Sequence, residues 1–183
     1  MTQACRHCQT PLTQRFLDLG CAPPSNAYLP PEALNAPEMT WPLRLSVCDD
    51  CFLVQTEDFT AAEALFDAEY AYFSSTSKSW LDHAARYSSM VTARFGLTSA
   101  SHVIEVAAND GYLLRNFVAA GIPCLGVEPT ASTAAVAEAQ GIPVRRSFFG
   151  QALAEELVAD GLVADLVAGN NVYAHVPDIN DFT

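Results

Sequence analysis

Four of the six cysteines form two C-x-x-C pairs, Cys5 with Cys8 and Cys48 with Cys51. Each pair can present two thiolates to one ion, and the second pair completes a tetrahedron, so the spacing predicts a structural zinc site. Four thiolates leave no open coordination position, and such a site stabilises a domain without doing chemistry. A redox dithiol or four unrelated thiols are the alternatives.

The other candidate metal ligands lack this spacing. His7 lies inside the first pair and is interpreted as a spectator, because the two flanking cysteines already supply that knuckle's ligands. Cys21 and Cys124 have no C-x-x-C partner, and we expect buried or half-buried thiols there.

A second stretch with chemical potential runs from residue 102 to 111 and reads H-V-I-E-V-A-A-N-D-G. Its apolar start predicts a strand, its small residues a tight turn, and the sequence from Tyr112 a helix. Such a unit places backbone N–H groups and a helix dipole at the carboxyl edge of a sheet, where nucleotide-like ligands bind. Glu128 follows the next predicted strand, at the offset where nucleotide folds bind ribose hydroxyls. Two ordinary βα units with surface acids are the alternative.

Two further polar features are predicted near this edge. Residues 70–77 read Y-A-Y-F-S-S-T-S, a hydroxyl-rich stretch with aromatic side chains that suits a loop over a polar ligand. A linker in which Thr76 or Ser77 caps the next helix explains the same residues. His175 is the histidine placed to reach a substrate at this edge, and a helix-capping or structural role is its alternative.

The remaining elements position these residues. Residues 60–70 suit a helix capped by Thr60 with Glu63 in a capping box, and short strands are predicted at 17–20 and 43–47. One helix face over residues 80–95 is apolar, and that helix should end near Gly96. The apolar residues of that face are Trp80, Ala84, Tyr87, Val91 and Phe95.

The second half of the chain alternates between strand and helix patterns. Helices are predicted at 131–139 and 151–157, a short strand with its loop over 141–144 and 148–149, and a further strand at 162–168. About four strands alternating with helices predict an α/β fold, a Rossmann-like doubly wound parallel sheet, beside a small N-terminal zinc-binding domain. The predicted domains are residues 1–58, a helical linker at 59–99, and 100–183. Because the sheet is incomplete, we expect a longer parent chain.

The composition of the chain limits the classes of partner that it can bind. The formal net charge is −12 and no Lys/Arg cluster is present, which argues against nucleic acid or an anionic membrane and favours a small molecule. No apolar run is long enough to span a bilayer, and the N-terminus lacks a signal-peptide core, so a cytoplasmic location is predicted. The sequence does not determine an oligomeric state.

These motifs together resemble the sugar C-methyltransferases of deoxysugar biosynthesis, class I S-adenosylmethionine (SAM) dependent enzymes with an N-terminal zinc-binding domain. The four paired cysteines resemble the family's zinc ligands, and residues 70–75 resemble its Tyr-x-Tyr-x-Ser-Ser loop. Residues 105–111 resemble Glu-x-x-x-Asn-Asp-Gly, the first cofactor motif. Residues 126–129 resemble the motif of the ribose-binding acid, and 171–177 the Asn-x-x-x-His-x-Pro stretch.

The resemblance implies methyl transfer from SAM to a nucleotide-linked 4-keto-deoxysugar, with structural zinc and a general base in a region beyond residue 183. Tyr72 and His175 are the catalytic candidates within this sequence. The cofactor-binding candidates are Tyr72, Ser75, Glu105, Ala107, Asn109, Gly111, Tyr112, Leu113, Glu128, Pro129, Phe149, Asn170 and Asn171.

Two other classes of function remain open at this stage. A nicotinamide-dependent dehydrogenase is disfavoured, because the turn lacks the G-x-G-x-x-G glycines that let the backbone approach a pyrophosphate. A non-enzymatic zinc module fused to an α/β ligand-binding fragment is the other. Ala107 stands where the usual SAM-binding turn has glycine, and its methyl group could crowd the methionine moiety.

Overall fold

The computed structural model describes residues 3–59, 66 and 70–183. The chain divides into two compact units, Met1–Leu65 with Val176–Thr183, and Phe66–His175. The strands within the described residues are β1 Gln14–Ala22, β2 Trp41–Val47, β3 Val54–Thr56, β4 Val103–Val106, β5 Cys124–Val127, β6 Val144–Arg145 and β7 Leu166–Ala168. The α-helices there are α1 Lys78–Phe95, α2 Leu114–Ala119, α3 Ala131–Ala139, α4 Gln151–Ala159 and α5 Ile179–Phe182.

The first unit is built on an antiparallel sheet in the order β1-β2-β3. Strand β1 pairs with β2 from Gln14 opposite Val47 to Ala22 opposite Trp41, and β3 pairs with the other edge of β2. The second cysteine pair occupies the connection between β2 and β3. Both predicted strands of this region are confirmed, although they are longer than the sequence pattern indicated.

The second unit contains a parallel sheet in the order β6-β5-β4-β7. This arrangement confirms the predicted Rossmann-like α/β fold, with its central strand β4 between β5 and β7. Alternate strand residues face opposite sides: Val103 packs in the cluster that contains residues of α1 and α2, whereas Ile104 packs against residues of α4. Helices therefore cover both faces of the sheet, as in a doubly wound fold.

Helix α1 follows the predicted amphipathic pattern with one exception. Ser77 Oγ accepts a hydrogen bond from the Trp80 N–H (3.3 Å), so Ser77 is the helix cap that the alternative interpretation of residues 70–77 proposed. Gly96 ends the helix at a φ of 63°. Phe95, predicted to face the core, is 56% exposed. The left-handed turn at Gly96 redirects the chain, and Leu97 is buried instead.

Other boundaries also differ from the sequence pattern. The third and fourth strands of the parallel sheet shrink to β6, with two residues, and β7, with three. Both strands lie at an edge of this sheet, where only one neighbouring strand keeps the backbone extended. The helix predicted at 60–70, with Thr60 and Glu63 at its start, falls on residues outside the described part, positions 66 and 70 excepted.

We expect Gly111→Ala to destabilise the second unit by roughly 2–4 kcal/mol, more than the same change at Gly161. Both glycines have left-handed φ, +78° and +80°, but an added Cβ at Gly111 would overlap Ile142 Cδ1 and lie 3.2 Å from Ala137 Cβ. At Gly161 no atom lies within 4 Å of that Cβ, so Gly161→Ala isolates the backbone cost. Urea unfolding of both variants measures the difference, and equal losses would contradict the packing argument.

Candidate functional site

The four paired cysteines come together in the first unit, as predicted. Their Sγ atoms all lie within 4.8 Å of one another, with Cys5 to Cys51 at 3.6 Å and Cys8 to Cys48 at 3.5 Å. A tetrahedral zinc ion with bonds of about 2.3 Å separates its sulfurs by about 3.8 Å, so the cluster has the dimensions of a four-thiolate zinc site. His7 is exposed, as expected of a spectator.

Each knuckle has the same backbone geometry. The N–H four residues after the first cysteine donates to that cysteine's carbonyl, at 3.0 Å for Gln9 and 3.1 Å for Phe52. Both donors adopt left-handed φ, 64° and 60°. The first cysteine's own N–H donates to the residue five positions on, Thr10 or Leu53. This repeated turn aims both thiols of a pair at one point.

Hydrogen-bond donors lower the pKa of Cys5 and Cys8 and so favour their thiolates, whereas burial and the neighbouring thiols raise the pKa of Cys51. Burial raises the pKa of Cys5, but backbone N–H groups of Cys8 and His7 and the Gln55 amide lower it, to about 6 overall. Gln55 Nε2 donates to Cys5 Sγ (3.3 Å), while its Oε1 accepts from the Arg6 N–H (2.9 Å). Gln55 was not identified from the sequence, because it joins the site only through the pairing of β3.

Residues inside the first knuckle bind the segment Val176–Thr183. The Arg6 guanidinium donates to the Val176 carbonyl (3.2 Å), the Thr56 carbonyl (2.8 Å) and the Asp58 carboxylate. His7 Nδ1 lies 2.9 Å from Asn180 Oδ1, and Asn180 Nδ2 donates to the His7 carbonyl (2.8 Å). Nothing in the sequence pattern indicated that this segment packs with the N-terminal residues.

In the second unit, the strand order reverses between β4 and β7, which is where ligands bind in open α/β sheets. Glu105 near the end of β4 is fully buried, and Asn170 beyond β7 donates to its Oε1 (3.3 Å). Burial raises the pKa of Glu105 to about 8 against the hydrogen bonds of Asn170 and Tyr112, and the charges of Glu128 and Asp110 add to the rise. This carboxyl therefore holds its proton at neutral pH.

The turn after β4 is tight and partly left-handed. Ala107 and Asn109 have φ of 57° and 50°, followed by Gly111 at 78°. An alanine in this region is strained, because a left-handed φ favours glycine. The turn also packs closely on β5, since a Cβ on Gly126 would lie 2.9 Å from Ala108 Cβ.

Glu128 joins the two turns at this edge. Its Oε2 accepts from the Asn109 N–H and its Oε1 from the Thr130 N–H, both at 2.9 Å. The residue is only 5% exposed. Each carboxylate oxygen has a further acceptor site, so Glu128 can also bind a hydroxyl while holding the turns. Pro129, its neighbour, is half-buried.

The 70–77 loop contacts the same turn. Asn109 Nδ2 donates to the Tyr72 carbonyl (3.0 Å), and the N–H groups of Ser74 and Ser75 donate to Asn109 Oδ1 and Asp110 Oδ2 at 2.9 and 3.0 Å. The Tyr72 side chain is half-exposed. Asp110, which is fully buried, was absent from the predicted site residues although its motif was identified.

The other predicted residues occupy varied positions. The Leu113 side chain is buried in the core, and Phe149 packs against the cluster on the opposite sheet face. Tyr112 is buried beside Glu105, and its pKa is raised, by burial first and by Glu105 second. Asn171 and His175 are exposed beyond β7.

The two sites define a class of protein in which a domain with four clustered thiols is linked to a Rossmann-like domain. The second domain has acidic side chains at the carboxyl edge of its sheet. Residues 5–66 match a family described as "Putative zinc binding domain". The C-methyltransferase NovU of Streptomyces niveus is 29% identical over 177 residues, which cover 97% of this chain and 42% of that protein. These matches confirm the resemblance to C-methyltransferases with an N-terminal zinc-binding domain.

The chain spans about two fifths of the length of this relative. Among solved structures, the crystal structure of MccD protein is similar with a TM-score of 0.27 and 18% identity, over 53% of this chain and 34% of that chain. Within the described residues, no helix has the length and apolar character needed to cross a membrane.

Proposed function

We propose that this chain carries the zinc-binding domain and the SAM-binding platform of a C-methyltransferase acting on a nucleotide-linked deoxysugar in the cytoplasm. The observation that carries the proposal is that Glu105, Asn109 and Glu128 lie together at the carboxyl ends of the neighbouring strands β4 and β5. The similarity to a C-methyltransferase over nearly the whole chain supports the reaction. The sugar substrate is inferred from the resemblance of the motifs.

The charge of the edge fits SAM, which carries a sulfonium and an ammonium group. Two buried carboxyl oxygens, Glu105 Oε2 and Asp110 Oδ1, have no hydrogen-bond partner among the described residues. None of the ion pairs found in the described part of the chain involves Glu105, Asp110 or Glu128. Because Glu105 keeps its proton, Asp110 and Glu128 are the acids at this edge that favour a cationic ligand and disfavour the diphosphate of a nicotinamide cofactor.

When bound, SAM supplies an electrophilic methyl group. In the proposed mechanism Glu128 accepts hydrogen bonds from the ribose hydroxyls, and Asp110, in the turn after β4, stabilises the positive charge. Tyr72 orients the sugar or the cofactor carboxylate, and His175 is a candidate for contact with the substrate. Methyl transfer requires in-line approach, so positioning by these residues is their main contribution.

The zinc site takes no part in this chemistry, because four thiolates occupy every coordination position. Its proposed role is to hold the fold of the first unit. All six cysteines are free thiols, the state that zinc ligation requires and that a reducing cytoplasm maintains.

We expect SAM to bind and NAD not to bind in calorimetric titrations of the purified protein. Glu128→Gln keeps one acceptor oxygen but removes the charge, and should weaken SAM binding by roughly 1.5–3 kcal/mol. Glu156→Gln, at an exposed acid on α4, is the control with the same change in charge. Thermal melts of both variants separate binding from folding.

Equal SAM affinity in the unchanged protein and in Glu128→Gln would show that Glu128 does not contribute to SAM binding. Failure of the zinc-loaded, folded protein to bind SAM would favour the alternative of a zinc module fused to an α/β fragment for another ligand. If the protein binds NAD and does not bind SAM, it is a dehydrogenase rather than a methyltransferase.

A further inference from the structure

The turn after β4 holds the 70–77 loop with the side chains of two consecutive residues. The Asn109 carboxamide uses both its ends, donating to the Tyr72 carbonyl (3.0 Å) and accepting from the Ser74 N–H (2.9 Å). The Asp110 carboxylate accepts from the next N–H, that of Ser75 (3.0 Å). The carboxamide thus pairs with the loop as a neighbouring peptide group would, satisfying main-chain atoms that a bare turn would leave to water.

Hydrogen bonds also hold the backbone of Asn109 and Asp110 in place. Its left-handed φ of 50° is one that asparagine tolerates, and its N–H donates to Glu128, whose other oxygen accepts from Thr130. The Asp110 carbonyl accepts from Gln140 Nε2 (2.7 Å). The two clamping side chains therefore start from a backbone that cannot shift without breaking these bonds.

The clamp leaves one large side chain of the loop available. Ser74 is 7% exposed, whereas Tyr72 is 49% exposed, and the bonds to Asn109 involve only the backbone of Tyr72. A rigid backbone with a free aromatic ring and hydroxyl is the arrangement that presents a side chain to a ligand at low entropic cost.

We propose that Asn109 is a positioning residue, which sets the place of the Tyr72 side chain at the carboxyl edge of β4 by holding the backbone of the 70–77 loop. A glycine at position 109 would accept the left-handed φ, but it would offer no carboxamide. The identity of the ligand that meets Tyr72 rests on the proposed function, whereas the clamp rests on the hydrogen bonds alone.

Amide hydrogen exchange measured by NMR tests the clamp. In Asn109→Gly, the Ser74 amide should exchange at least tenfold faster, while amides of β4 remain protected. In Asp110→Ala, the Ser75 amide should show the larger acceleration. Asn171→Gly is the matched control, because Asn171 has a similar φ of 53° and the control should leave the Ser74 amide protected. Unchanged Ser74 exchange in Asn109→Gly would overturn the proposal.

SAM titrations of a double-mutant cycle test the positioning. Tyr72→Phe should weaken SAM binding several-fold, on the order of 5- to 10-fold, in the otherwise unchanged protein and less than twofold in Asn109→Gly. A purely structural role for Asn109 predicts the same loss from Tyr72→Phe in both backgrounds, and that result would overturn the proposal. So would the absence of any effect of Tyr72→Phe in the unchanged protein.

The two proposals fail in different ways. If the unchanged protein does not bind SAM, the proposed function is wrong, and the exchange of the Ser74 and Ser75 amides still decides whether Asn109 and Asp110 hold the loop. If SAM binds and the exchange rate of the Ser74 amide is unchanged in Asn109→Gly, Asn109 does not hold the loop, and the cofactor assignment stands.

Discussion

Cys48→Ser is expected to unfold the zinc-binding unit and abolish stoichiometric zinc binding. Structural zinc supplies apparent free energies of about 10–16 kcal/mol in small zinc domains, and the exposed apolar side chains of β1 show how little core this unit has otherwise. Cys48 is fully buried and lies 3.5 Å from Cys8, so the loss of its thiolate breaks the tetrahedron. Metal analysis and thermal unfolding measure the outcome.

Cys21→Ser is the control, because Cys21 lies outside the four-thiol cluster and is exposed, which corrects the expectation of a buried thiol there. Hydrogen exchange should show that Cys48→Ser also releases residues 176–183, since Arg6 and His7 bind that segment from within the first knuckle. Amides of α1, in the second unit, should remain protected. Full zinc content with an unchanged melting curve in Cys48→Ser would contradict the four-thiolate site.

Glu105→Gln is expected to stabilise the second unit at pH 8 by as much as about 5 kcal/mol and to have little effect at pH 4.5. Burial, with Glu128 and Asp110 nearby, raises the pKa of Glu105 from 4.5 to about 8 in the folded protein. Below pH 4.5 the carboxyl is protonated in both the folded and the unfolded chain. Between pH 4.5 and 8 only the folded chain keeps the proton, so stability is lost as the pH rises through this window.

The measurement is the difference in the free energy of unfolding between the unchanged protein and Glu105→Gln, from urea titrations at several pH values across the window. Glutamine keeps the shape and the acceptor for Asn170 but cannot ionise. Glu156→Gln, at an exposed helix position, should show no comparable pH dependence. A difference for Glu105→Gln that does not change with pH would show that Glu105 is not buried as a neutral acid.

Much of this fold followed from local patterns. The strands Val103–Val106 and Cys124–Val127 occur where their apolar runs predicted them, because short parallel strands are buried on both faces. The helix Ala131–Ala139 occurs where its alanine-rich sequence predicted it. The edge strands β6 and β7 were predicted too long. Phe95 was misplaced because the stripe of α1 continues in sequence to the point where Gly96 redirects the chain.

The sequence by itself determined the four thiols of the metal site, since two C-x-x-C pairs leave few other uses for them, and it determined the βα turn on which the proposed cofactor site is built. Only the tertiary structure decided the contacts that hold these sites. Gln55 reaches Cys5 across 50 positions, Asn109 reaches Tyr72 across 37, and Asn180 reaches His7 across 173. No local propensity encodes such pairs, because they depend on which strands and turns pack together, and that is settled by the burial of the whole core.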